Sequence, residues 1–144
     1  MSFKHRAAGF LLLAALSGCA LGIQQGRSPS DTFDVPVDYR EAYRRADAQV
    51  RECLLGAGGY RAVGEMQPAA ETARLEVRAP FSEDVLARVD IFALQPQTSR
   101  ITVTMWGESI WNEDAIVAMR DAIRIGSASC KSYMPRVQGQ RPAR

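Results

Sequence analysis

Histidine is almost missing from this 144-residue chain: there is one, His5, and none after it. From residue 6 onward the chain cannot assemble a Ser-His-Asp or Cys-His catalytic group. It cannot build a histidine-ligated zinc or iron site either. Lysine is nearly as scarce, with only Lys4 and Lys131. No apolar run reaches the roughly 20 residues that a bilayer-crossing helix needs. Internal repeats are lacking, and so is a phosphate-cradling glycine loop. Gly56-Ala57-Gly58-Gly59 follows a helical pattern and precedes a strand-like one, the reverse of the phosphate-binding order, and reads as a helix stop. An excess of one charge is absent as well. Lys4 and Arg6 belong to the N-terminal segment, and without them the 16 remaining basic residues equal the 16 acidic ones. Only the far C-terminus is biased, where Arg124, Lys131, Arg136, Arg141 and Arg144 follow Asp121 with no further acid. A nucleic-acid partner requires a basic face through the folded part; none is visible, and nucleic acid is set aside.

What is present begins with a basic cluster, Lys4-His5-Arg6, and an apolar stretch of about ten residues, Ala7 to Leu16, the length of a signal-peptide core. Leu16-Ser17-Gly18-Cys19 follows and resembles the lipobox of bacterial lipoproteins. An ordinary cleaved secretory signal containing a cysteine is the alternative; charge, apolar length, small residues and cysteine position together favour the lipobox. The resemblance implies that residues 1–18 are removed and that the Cys19 thiol takes a diacylglycerol, leaving Cys19 as the first residue with three acyl chains. At about 0.8 kcal/mol per buried methylene, more than one chain anchors stably. Ala20 stands where enteric lipoproteins retained at the inner membrane carry Asp, so the resemblance favours the outer membrane, facing the periplasm, over the inner. The whole chain resembles small proteobacterial outer-membrane lipoproteins, in which lipobox and tether precede a compact two-cysteine α+β domain. It implies lipidation at Cys19 and nothing catalytic.

After the anchor, residues 19–32 read as a lipidated flexible tether spanning roughly 20 Å. Residues 33–134 read as a single α+β domain, and residues 135–144 as a disordered basic tail. Phe33–Val37 is expected to be extended. Asp38 and Glu41 have capping-box spacing, with Val37 and Ala42 placed for a hydrophobic staple. Tyr39, Tyr43, Ala46, Val50 and Cys53 form one helical stripe. Tyr60–Met66, Ala73–Ala79, Val85–Leu94 and Ile101–Met105 alternate as strands, Tyr60–Met66 being the weakest. A second helix begins at the N-cap Asn112 and runs through Ile116, Met119, Ile123, Gly126 and Cys130 to Pro135. The order is α-β-β-β-β-α: an antiparallel sheet of three to four strands with two helices on one face.

With Cys19 lipidated, Cys53 and Cys130 remain, an even pair in an oxidising compartment, and a disulfide between them is expected; two separate buried thiols are the alternative. A plain four-stranded meander would separate the helix C-termini, so the bridge demands crossed helices or the loss of one strand from the sheet. The carboxylate pairs Glu83-Asp84 and Glu113-Asp114 could in principle serve an acid–base mechanism, but read as solvated charge and helix-dipole complement. Lys131 between Ser129 and Ser132 offers a Ser-Lys dyad only in a fraying helix end. No catalytic residue, metal ligand or cofactor is assigned.

Trp106 falls on the sheet face opposite Ile101, Val103 and Met105, and Phe92 and Leu94 share that face. With Trp111 they offer a partner patch for a protein, lipid or glycan. The plainer alternative has Trp111 stapling the second helix and Trp106 covered by the N-terminal arm around Phe33. Three functions follow: a non-enzymatic, membrane-anchored module binding a protein, lipid or wall component; an accessory or structural subunit of an envelope complex; and a carboxylate-dependent wall enzyme. Oligomeric state is not legible.

Overall fold

A computed structural model describes residues 20–135. The expected signal peptide, Cys19 and residues 136–144 of the expected tail lie outside the described residues.

Strand β1 (Ser30–Val35) precedes helix α1 (Tyr39–Cys53), and strands β2 (Arg61–Gln67), β3 (Thr72–Arg78), β4 (Val85–Gln95) and β5 (Thr98–Met105) lead into helix α2 (Glu113–Ile125). All five strands form one antiparallel sheet in the order β1-β5-β4-β3-β2. The α+β class and the helix-covered antiparallel sheet match the expectation. The strand number does not: the sheet has five strands, and the order is β-α-β-β-β-β-α. The additional strand comes from the stretch that reads as tether and lead-in. Its period-two pattern puts Phe33 and Val35 in the core and Thr32 and Asp34 outside. Ser30 and Thr32 hydroxyls pair with those of Thr104 and Thr102, each at 3.0 Å. Tyr60–Met66, the weakest strand from sequence, is a full edge strand displaced by one residue.

One sheet face is apolar because alternate residues are: Leu75 and Val77, Ala87, Val89 and Ile91, and Ile101, Val103 and Met105 are all buried. The helices lie over them. Asp38 caps α1 by accepting from the amides of Arg40 and Glu41. Only this half of the capping box forms, because the Glu41 carboxylate turns to Arg44 and Arg45 instead. Gly64 in β2 allows α1 to settle close: a Cβ there would stand 1.7 Å from the Tyr43 hydroxyl.

Helix α2 is shorter than its apolar stripe suggests. Gly126, left-handed at φ 86°, caps it, with its amide donating to Ala122 O. Cys130 is therefore outside the helix, in irregular chain that doubles back along α1. Buried Gln49 holds that return through its side-chain amide, which donates to Ser129 O at 3.1 Å and accepts from Ser129 N at 2.7 Å. One residue later Cys130 meets Cys53 in a disulfide, with Cα atoms 5.1 Å apart. The returning segment thus resolves the geometric conflict between a meander and the bridge, and β2 stays in the sheet.

Candidate functional site

At one end of the sheet lie the chain after residue 20, the β3–β4 turn, the β5–α2 connection and the segment after α2. Residues 20–29 are tied down there at Ile23, Ser28 and Pro29. Gly22 sits at φ 95°, where a Cβ would be 2.9 Å from Val85 O, and the next amide, Ile23, donates to that oxygen at 2.7 Å. The Gln24 amide donates to Ser28 Oγ at 2.8 Å, closing a turn. Ser28 Oγ donates to Trp106 O at 3.1 Å, and the Met105 amide to Pro29 O at 3.1 Å, which delivers the chain into β1. The expectation of a flexible tether is thereby corrected, because these backbone groups find partners on the domain.

A cleft opens between this strap and the start of α2. Gln24, Arg27, Ser28 and Pro29 line one wall, Trp106, Gly107, Glu108, Asn112, Glu113 and Asp114 the other, and Ala20 the edge. Three carboxylates face one guanidinium, so the walls are acidic beside an indole. Asn112 fixes the α2 end: its Oδ1 accepts from the Ala115 amide and from the Tyr133 hydroxyl, both at 3.1 Å. Such walls suit a cationic or hydrogen-bonding group carried beside an apolar one. Among the described residues no group of three or more His, Cys, Asp or Glu side chains is placed to hold a metal ion.

The aromatic residues singled out from sequence do not form one patch. Trp106 is half-buried under the strap and lines the cleft. Trp111 is 1% exposed. The Gly107 amide donates to Trp111 O at 2.7 Å, and this reversal turns Trp111 onto the core side, edge-on to Tyr60 at 5.2 Å. Phe92 is exposed but pairs with Arg100, at the far end of β5 from Trp106. That stretch of strand spans roughly 20 Å.

The sheet face between them is polar and internally neutralised. Glu76, nearly buried, accepts from Arg78 at 3.0 Å and Arg88 at 3.1 Å. Arg74 meets Asp90 at 2.6 Å, and Arg100 meets Asp34 at 2.8 Å. Glu83 is gripped by Arg61 and Arg78. Hydrogen bonds from Arg61 and then Arg78 hold its carboxyl below the usual carboxylate range, so it keeps its charge and has no proton to lend. Asp84 accepts from Ser82 Oγ at 2.8 Å. Glu113 and Asp114 are exposed in the first turn of α2.

Arg27, Ser28 and Glu108 are not among the residues that the sequence singles out. The Ser28-Pro29 turn signal directly before the alternating Asp31–Val35 run is the one local sign of the strap. No protein-family model matches this chain, and no curated protein matches it either.

Proposed function

We propose that the chain is a lipid-anchored binding module of the bacterial outer membrane, facing the periplasm and working without catalysis, metal or cofactor. The observation that carries this reading is the Cys53–Cys130 disulfide. A bridge of this kind fits an oxidising compartment outside the cytosol. It also accounts for two of the three cysteines, which leaves Cys19, directly after Leu16-Ser17-Gly18, for acylation. The partner's place is the cleft between strap and α2, beside Ala20. Its indole and carboxylate walls favour a protein or wall peptide that presents a cationic group next to an apolar one.

The test is a photo-reactive residue at Glu113 in the full chain, irradiated in intact cells before membrane fractionation. We expect the protein in the outer-membrane fraction with a discrete adduct, and an Asp114→Lys chain with at least about threefold less adduct, since reversing a rim charge slows encounter. A soluble protein with unmodified Cys19 would overturn the anchor; the absence of any adduct would overturn the cleft.

One observation favours the accessory-subunit reading instead. Strand β2 is an uncovered sheet edge, exposed at nearly every position, with Val63 and Met66 each 37% exposed. Such an edge accepts an added strand from another chain. The same cross-linker at Val63 separates the two readings: an adduct there and none at Glu113 marks the edge as the interface.

A further inference from the structure

The most exposed apolar side chain of the described residues is at the tip of the β3–β4 turn. Phe81 is as exposed as a phenylalanine in an open chain, at 105%, and its backbone is left-handed at φ 61°. A bulky residue at positive φ is uncommon and costs conformational energy. The turn that carries it is otherwise well made: the Ala79 amide donates to Asp84 O at 2.9 Å, and Arg61 donates to Ser82 O at 2.7 Å. Phe81 is therefore held out on a braced turn, not left over from a loose one.

The place of this turn in the molecule gives the exposure a meaning. The strap reaches the domain at the foot of the same hairpin, through the Ile23 amide on Val85 O at 2.7 Å, and a Cβ at Gly22 would stand 3.3 Å from that of Asp84. Cys19 precedes Gly22 by only three residues. Even fully extended, that length of chain spans roughly 11 Å, so whatever is attached at Cys19 starts within about that distance of the hairpin foot. The charged neighbours of the tip, Arg61, Arg78 and Glu83, are held in ion pairs with one another. The two carboxylates of the turn are both engaged, Glu83 by Arg61 and Arg78 and Asp84 by the Ser82 hydroxyl at 2.8 Å.

We propose that Phe81 is a membrane-inserting tip: a lipid bilayer surface buries it beside the acyl chains of Cys19, and the domain stands with its strap end down. The inference rests on the lipid-anchor reading and adds an orientation to it. Strand β4 leads away from the turn, and Phe92 lies roughly 23 Å along the strand from Val85. Phe92 and Leu94 are therefore held away from the bilayer. Attraction through an apolar tip is insensitive to salt, unlike a basic patch.

The experiment uses the full chain, purified from membranes and reconstituted into phosphatidylethanolamine–phosphatidylglycerol vesicles with brominated acyl chains. Phe81→Trp and Phe92→Trp proteins are compared with the parent, whose Trp106 and Trp111 supply the background. A tip buried roughly 5–10 Å into the headgroup–acyl boundary is expected to give the F81W protein an added blue-shifted emission. The bromines are expected to remove about half of that added intensity, with no change at high salt, as for apolar insertion. The added emission of the F92W protein is expected to match that in unbrominated vesicles. The mass of the Cys19 peptide is measured on the same samples. An unquenched indole at position 81 on acylated protein, or equal quenching at positions 81 and 92, overturns the inserted tip and leaves the anchor standing. An unacylated Cys19 overturns the anchor reading and this inference with it.

Discussion

Glu41 accepts from Arg44 and Arg45, three and four residues ahead of it on α1, at 2.6–2.7 Å. Those hydrogen bonds, Arg44's the larger, hold its carboxyl down from 4.5 to about 2. The folded state therefore gains stability from the charged form above the ordinary value, and loses it as pH falls from 4.5 through about 2. Solvent screening at the helix surface limits the gain to roughly 1 kcal/mol. Between about pH 5 and pH 2, Glu41→Gln is expected to lose less stability than the parent chain, by roughly that amount, in urea melts at each pH. The i,i+3 and i,i+4 spacing is open to view in the sequence. The far side of Arg45 is not: its Nη1 donates to Ile123 O at 2.8 Å. That satisfies a carbonyl at the end of the other helix, 78 residues along the chain. No local pattern encodes such a contact, because it exists only once the sheet has brought the two helices together.

Helix α2 shows how periodicity can overrun an element's end. Its apolar residues keep a four-three spacing past Ile123 through Gly126 to Cys130, and that spacing alone extends the helix to Pro135. The stop is the left-handed Gly126, a glycine that fits the stripe but serves as the cap. Gly126→Ala is expected to destabilise the protein by about 1–2 kcal/mol, the cost of a left-handed backbone with a Cβ, and Gly126→Asn by less; thermal denaturation of the two variants tests this. A Cβ here would also come within 3.1–3.4 Å of the Arg45 guanidinium. Strand β1 is hidden for the opposite reason. It is short, carries Gly, Ser and Pro just upstream, and begins among residues whose composition matches a linker, so composition masks the alternation of Phe33 and Val35. The four later strands and both helix starts are legible because alternation, Asp38 and Asn112 each act within a few residues.

At the scale of the molecule, the disulfide joins the end of the first helix to a segment beyond the last one, across a separation of 77 residues. Its stabilisation through the unfolded chain is about 4.5 kcal/mol in the loop-entropy picture. Paired Cys53→Ala and Cys130→Ala substitutions are expected to lower the guanidinium unfolding free energy by that order, and reductant should do the same to the parent and nothing to the double variant. The two-cysteine pairing is legible from parity and from the oxidising compartment that the lipobox resemblance implies; the cleft is not, since its strap and its β5–α2 wall meet across 78 residues of sequence, Ser28 on Trp106. The sheet order carries a consequence for how the chain comes together. The earliest strand hydrogen-bonds only to the latest, Ser30 opposite Thr104, while the four later strands can zip up as neighbours. Any cellular route that releases this polypeptide front end first must keep residues 30–35 single, shielded from other chains, until Thr98–Met105 has emerged to receive them.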